Sequence, residues 1–105
     1  MTAPAPTAEW ELVAPDGRPL GRLTQDGSDG PWRLCRYAPT PDFAPIAELF
    51  AEDVGLLEED EMDAWEMVHE RIASLRLQLR PAAGGEPIRK FALHVDGDRA
   101  WFRSS

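Results

Sequence analysis

The segment DFAPIAELFAEDVGLLEEDEMDAWEMVHE, residues 42–70, contains eleven carboxylates and neither lysine nor arginine. The rest of the chain holds eight acids and all eleven bases, so the middle carries a charge of −11 and the flanks together carry +3. Apolar residues recur with helical spacing in this segment, whereas in the flanks they alternate as in strands. Charge and secondary structure are therefore divided in the same way along the sequence.

Two amphipathic helices are predicted within the acidic segment. Asp42 and Pro45 suit the N-terminus of the first helix, and Gly55 suits its C-terminus. The acids at 58–61 are expected to open the second helix, where they complement the positive end of the helix dipole. The apolar stripes are Phe43, Ile46, Ala47, Phe50 and Val54 in the first helix and Met62, Trp65, Val68, His69, Ile72 and Leu75 in the second.

Three strands are predicted on each side of the helices. Turns rich in Gly, Pro and Asp separate consecutive strands, so the sheet is expected to be mostly antiparallel. The predicted strands are 9–14, 20–24, 32–37, 75–80, 88–95 and 99–103. The expected fold class is α+β: a two-layer domain of about six strands in the order βββ-αα-βββ, with two central helices packed on one face of the sheet.

A chain of 105 residues is expected to form a single domain. Residues 1–8, rich in Pro and Ala, are predicted to be a flexible tail before a single α+β domain at 9–105. The N-terminus lacks the features of a signal peptide, and no apolar run is long enough for a membrane span. A cytoplasmic protein without membrane contact is therefore expected. The net charge of −8 disfavours binding to nucleic acid.

The sequence offers little for catalysis or metal binding. Glu66 and His69 match the pattern Glu-x-x-His, but a di-iron site needs two such pairs and two further glutamates, and the chain has only two histidines. Cys35, the single cysteine, could pair with His69 or His94, although a lone cysteine in an aromatic-rich strand is more typical of a buried apolar side chain. No catalytic residue, metal or cofactor is expected, and a non-enzymatic role is favoured.

Acidic residues without basic neighbours on the second helix predict an interaction surface. Like charges four residues apart repel each other instead of forming the ion pairs common on solvated helices. A solvated face is the simpler interpretation, but this repulsion favours docking of a basic protein partner. The first hypothesis is accordingly a small non-enzymatic acidic interaction protein of an immunity-, antitoxin- or chaperone-like type. The residues proposed to bind the partner are Glu59, Asp63, Glu66 and Glu70, which we name the acidic edge.

Two alternative hypotheses stay open. A pocket between the helices and the sheet could bind a small ligand or support catalysis. The Trp- and Arg-rich sheet face could instead form a homodimer interface, since both residue types are enriched in interface hot spots. The candidate pocket residues are Trp65, His69, Cys35 and Tyr37. The absence of a concave pocket beside His69 would count against the ligand hypothesis.

Overall fold

The computed structural model describes residues 8–104, which form one six-stranded antiparallel sheet and two α-helices. The chain order βββ-αα-βββ and the α+β class are as predicted. Of the predicted tail, only Ala8 lies within the described residues. The strands are β1 (Glu9–Val13), β2 (Pro19–Asp29), β3 (Trp32–Pro39), β4 (Gln78–Pro81), β5 (Phe91–Asp96) and β6 (Arg99–Ser104). A short 3-10 turn at Pro41–Phe43 leads into α1 (Ala44–Glu58), and α2 spans Met62–Ser74.

The two strand trios are joined in one sheet with the order β4-β1-β2-β3-β6-β5. The first three strands form a meander at its centre. After the helices, β4 pairs with β1 at one edge, and the β5–β6 hairpin adds to β3 at the other edge. The helices therefore carry the chain from the centre of the sheet to its outer strands.

The sheet is strongly curled around the core. Trp10 of β1 and Phe102 of β6 are separated by two strands, yet their ring centroids lie 4.9 Å apart in an edge-to-face contact. Ile88 forms an isolated bridge with Leu79 of edge strand β4, and only three residues later Phe91 begins the opposite edge strand. Three residues span at most about 10 Å. The predicted strand 88–95 is therefore split between two sheet edges that approach each other.

The predicted apolar stripe of α1 is confirmed as part of the core. Phe43, Phe50 and Val54 are buried, and Phe43 lies between the rings of Tyr37 and Phe50 at 5.1 and 5.5 Å. Burying a phenylalanine of this kind contributes about 1.5–3 kcal/mol. Helix α1 packs along edge strand β5, and α2 packs mainly against α1. This contact places the C-terminal half of α1 beside the β5 edge.

Helix α1 ends at Glu58, and the left-handed residue after its cap is Asp60 and not the predicted Gly55. Asp60 adopts a left-handed conformation with φ 57°, which aspartate tolerates better than most residues. Its N–H donates to Leu57 O at 3.2 Å, and Glu61 N–H donates to Leu56 O at 3.0 Å, which completes a Schellman motif. A single glycine costs a helix only about 1 kcal/mol, so Gly55 is tolerated inside the last turns.

The predicted start of the second helix at 58–61 was also wrong. Glu58 ends α1, Glu59 is its C-terminal cap, and α2 begins at Met62. Glu58 and Glu59 therefore lie at the negative end of a helix dipole, where acids are not favoured. At the other end of α2, Leu75 is the cap and Arg76 takes φ 54°, so the predicted strand 75–80 begins only at Gln78.

Strand β2 continues through residues 25–29. The composition of this segment predicts a loop instead. A bulge between Gln25 and Gly27 lets Asp26 project without a partner in β3. Both Asp26 carboxylate oxygens accept hydrogen bonds from Arg99 of β6, at 2.6 and 2.9 Å. The polar residues 25–29 form part of the β2–β3 hairpin because they pair with β3. Cross-strand pairing of this kind does not need an apolar face.

Candidate functional site

The side chain of Asp53 is a buried carboxylate that joins three elements. It lies on α1 and is only 1% exposed. Its Oδ1 accepts a hydrogen bond from Trp65 Nε1 of α2 at 2.8 Å, and its Oδ2 lies 2.6 Å from His94 Nδ1 of β5. A buried carboxylate without partners would be strongly destabilising, so these two contacts explain how Asp53 is tolerated there.

The Asp53 carboxylate fixes the orientation of the His94 ring. The Asp53 contact engages Nδ1, so Nε2 is the ring nitrogen that it leaves free. Among the described residues, no buried side-chain nitrogen or oxygen lacks a hydrogen-bond partner. Since the hydrogen bond of His94 engages Nδ1, Nε2 is reachable from outside the fold.

His94 lies on the sheet face that points away from the core. Its cross-strand partner is Trp101 of β6, which in turn pairs with Leu34 of β3. The neighbouring pair Leu93 and Phe102 points to the opposite, core side. Helix α1 therefore straddles the β5 edge, with Phe50 in the core and Asp53 reaching His94 on the outer face.

An open groove of about 780 Å³ lies between this outer sheet face and the helices. The His94 ring lies between Trp32 and Trp101, with centroid distances of 5.3 and 5.5 Å. Trp65 and His69 form the helical wall and stack on each other at 4.8 Å. We name this surface the aromatic groove, and its defining residues are Trp32, Trp65, His69, His94 and Trp101.

A cation and an acid lie at the β3–β6 end of the aromatic groove. The Arg103 guanidinium lies 5.2 Å from the centre of the Trp32 ring, within cation–π distance. Asp29, in the last position of β2, also lines this end. Charged side chains thus border a surface that is otherwise formed largely by aromatic and imidazole rings.

Two of the four pocket residues predicted from the sequence lie in the aromatic groove. Trp65 and His69 line it, so a concave pocket is present beside His69. Cys35 and Tyr37 do not line it, because their side chains point into the core, where they are 0% and 3% exposed. The Tyr37 hydroxyl donates to Leu20 O at 3.3 Å. Burial raises the pKa of the Cys35 thiol to about 11, which suits an inert core residue.

The acidic edge is exposed but belongs to two elements. Asp63, Glu66 and Glu70 lie on α2, whereas Glu59 caps α1 and precedes the linking turn. Glu59 and Asp63 therefore do not lie on one helix. The repulsion that the sequence predicts between them at helical spacing does not occur. Within residues 8–104, none of the four takes part in an ion pair.

Sequence reasoning missed Asp53 and His94 as a pair, because 41 residues separate them. Asp53 was counted among the acids of the middle segment, yet its position carries a signal. It follows Phe50 by three residues and precedes Val54, so it lies on the apolar side of α1. A carboxylate on a core-facing stripe needs a buried partner, and this would have separated it from the solvated acids.

No protein-family model, curated protein or solved structure matches this chain. Neither described helix combines the length and apolar character needed to cross a bilayer. Between residues 8 and 104, no group of three or more His, Cys, Asp and Glu side chains is arranged to hold a metal ion.

Proposed function

We propose that the protein binds a small molecule with a planar aromatic group in the aromatic groove. The observation that carries this proposal is the convergence of three of the four tryptophans and both histidines on one concave surface. These side chains come from β3, β5, β6 and α2, so the fold assembles the surface from distant parts of the chain. Clustered aromatic rings around a few polar groups are typical of small-ligand sites.

Ring geometry supports an aromatic ligand. Trp32, Trp65 and Trp101 are all partly exposed, so each presents some ring surface to a ligand in the groove. Offset or edge-to-face contacts between aromatic rings contribute about 0.5–1.5 kcal/mol beyond the burial of apolar area. Two or three such contacts add about 1–4.5 kcal/mol, and a Kd of about 1 mM corresponds to about 4.1 kcal/mol.

His94 supplies the polar contact that would orient the ligand. Its Nε2 is not engaged by Asp53 and is available to a hydrogen-bonding group of the ligand. Asp53 acts through His94 as a positioning residue, because it fixes the ring orientation. A flat ligand with a hydrogen-bonding group on its edge fits this arrangement best.

Tryptophan fluorescence tests the proposal with a panel of planar aromatic compounds. A compound that binds in the aromatic groove should quench the emission in a saturable way. The variant Trp101→Leu should weaken the binding by about tenfold, the loss expected for one aromatic contact. Met67→Ala is the matched control, because Met67 is 69% exposed and lies outside the aromatic groove. Equal affinities of wild type and Trp101→Leu would contradict the proposal.

The acidic edge supports a second candidate function, binding of a basic protein. The favouring observation is that Asp63, Glu66 and Glu70 are exposed and form no ion pair among the described residues. Reversing the acidic edge to lysine should abolish any salt-sensitive co-purification of a native partner. The control reverses four exposed acids elsewhere, namely Asp42, Glu48, Glu86 and Asp96. Retention of the partner by the acidic-edge variant would end this hypothesis.

The interface of the hypothetical homodimer would overlap the surface that we propose binds the ligand. Pairing two copies through the Trp- and Arg-rich sheet face would cover Trp32 and Trp101, whereas ligand binding requires them to be accessible. Light scattering at micromolar concentration separates the two. The ligand proposal predicts the monomer mass of 11.7 kDa, and twice that mass would favour the dimer.

A further inference from the structure

A second, smaller cleft of about 370 Å³ adjoins the aromatic groove. His69 and Phe91 line both, so the two clefts are neighbours that meet at these residues. Three cationic residues line the smaller cleft, namely Arg76, Arg89 and Lys90. We name this smaller cleft the cationic cleft.

The cationic cleft is free of acids although the chain has a net charge of −8. No Asp or Glu is among its lining residues. In residues 8–104, Arg76, Arg89 and Lys90 form no ion pair. Three cations that share a cleft repel each other, and an anionic ligand would relieve that repulsion.

Arg76, which lines the cleft, has an unusual backbone conformation. It adopts φ 54° directly after the cap of α2, a position at which glycine is the common residue. A non-glycine residue is strained in this conformation. Glycine there would avoid this strain but would remove the guanidinium from the cleft, so the arginine is consistent with a binding role.

We propose that the cationic cleft binds a phosphate group carried by the aromatic ligand, so that the two neighbouring clefts together recognise a phosphorylated aromatic compound. This inference rests on the proposed function, because the aromatic part occupies the neighbouring groove. Arginine guanidinium groups match phosphate oxygens in a bidentate manner, and lysine adds a further charge-assisted donor. Three cations suit a phosphate dianion better than a single carboxylate.

A small phosphorylated ligand fits the charge of the chain better than a nucleic-acid strand does. A strand would extend beyond the cleft across a surface of net negative charge, which repels further phosphates. A single phosphate stays within reach of the three cations and avoids that repulsion. Binding should still weaken with salt, because the cations are exposed to solvent.

Matched pairs of nucleosides and their 5′-monophosphates test the inference, with inorganic phosphate as a third probe. In fluorescence titrations, at least one monophosphate should bind about tenfold more tightly than its nucleoside, as expected for charge-assisted hydrogen bonds. The triple variant Arg76→Gly, Arg89→Ala, Lys90→Ala should lose this preference but retain the affinity for the nucleoside. Its charge-matched control replaces three exposed arginines outside the cleft by alanine, namely Arg22, Arg71 and Arg80.

The outcomes separate this inference from the proposed function. Equal affinity for nucleoside and monophosphate, unchanged in the triple variant, would overturn the phosphate site but leave the aromatic groove supported. If neither compound of any pair binds, both proposals fail. Tighter binding of a short oligonucleotide than of any monophosphate would replace the small-molecule inference by nucleic-acid binding.

Discussion

Asp53 Oδ2 lies 2.6 Å from His94 Nδ1, across the contact between α1 and β5. Both side chains are buried, and the second oxygen of Asp53 accepts a hydrogen bond from Trp65 of α2. One carboxylate therefore holds the two helices against the edge of the sheet. The same contacts set the positions of Trp65 and His94, which form part of the aromatic groove. Stability and the proposed ligand site are coupled at this residue.

Replacing Asp53 by asparagine should destabilise the fold. The amide keeps one acceptor oxygen, so one of the two donors, Trp65 Nε1 or His94 Nδ1, would face an N–H group. Leaving one buried donor unsatisfied costs about 1–3 kcal/mol, which urea denaturation measures directly. Glu52→Gln is the control, since Glu52 is the exposed neighbour and should change stability by less than about 0.5 kcal/mol. Equal stabilities of the two variants would show that the buried contacts contribute nothing.

Gly21→Ala should be strongly destabilising although the change adds only one methyl group. A Cβ atom on Gly21 of β2 would collide with the ring and hydroxyl of Tyr37 on β3. Tyr37 is buried beside Phe43 and cannot move aside, so we expect a loss of about 1–3 kcal/mol or more. Gly27→Ala is the control in the same strand, because its Cβ would lie 3.6 Å from Leu34 Cδ1, an ordinary contact. Thermal unfolding of both variants checks the contrast.

Arg76→Gly should raise stability, whereas the same change at Arg71 should lower it. Arg76 has φ 54°, so glycine relieves about 1–2 kcal/mol of backbone strain. Arg71 lies within α2, where glycine costs about 1 kcal/mol relative to good helix formers. Urea denaturation of both variants gives the two signs. A loss of stability in Arg76→Gly would mean that its side-chain contacts outweigh the strain.

Cys35 should resist alkylation in the folded protein and react on unfolding. Burial raises the pKa of its thiol from 9.0 to about 11, so the folded state holds this proton more tightly than the unfolded state does. The resulting contribution to stability is complete below pH 9 and is lost as the pH rises toward 11. Mass spectrometry after iodoacetamide treatment, with and without denaturing urea, checks the reactivity. Rapid labelling of the folded protein would show that the thiol is accessible.

The parts of the fold that could be predicted from the sequence are those with strong periodicity. The stripe from Phe43 to Val54 predicted the buried face of α1, and the turn at Asp96–Asp98 predicted the β5–β6 hairpin. The ends of the helices were less predictable, because Asp60 and Arg76 adopt left-handed conformations that local composition does not specify. Tertiary contacts decide such positions.

The candidate site was only partly visible in the sequence. The sequence predicts Trp65 and His69 beside a pocket, and the structure confirms this. It also predicts Cys35 and Tyr37 there, because the sequence does not specify which face of β3 is buried. A shift of one residue in strand register moves a side chain to the opposite face, and the parity of β3 was not fixed by its sequence. The aromatic groove also depends on the β3–β6 pairing, which brings Trp101 opposite Leu34. Such long-range pairing leaves no local pattern.

The most direct test of the aromatic groove is a ¹⁵N–¹H spectrum of the four tryptophan indoles during titration with a nucleoside monophosphate. Trp32, Trp65 and Trp101 line the groove, whereas Trp10 is buried in the core and packs against Phe102, so it serves as an internal control. We predict that the three groove indole signals shift in a saturable manner and that the Trp10 signal stays in place. Unchanged groove signals, or a response confined to Trp10, would contradict the proposed ligand site.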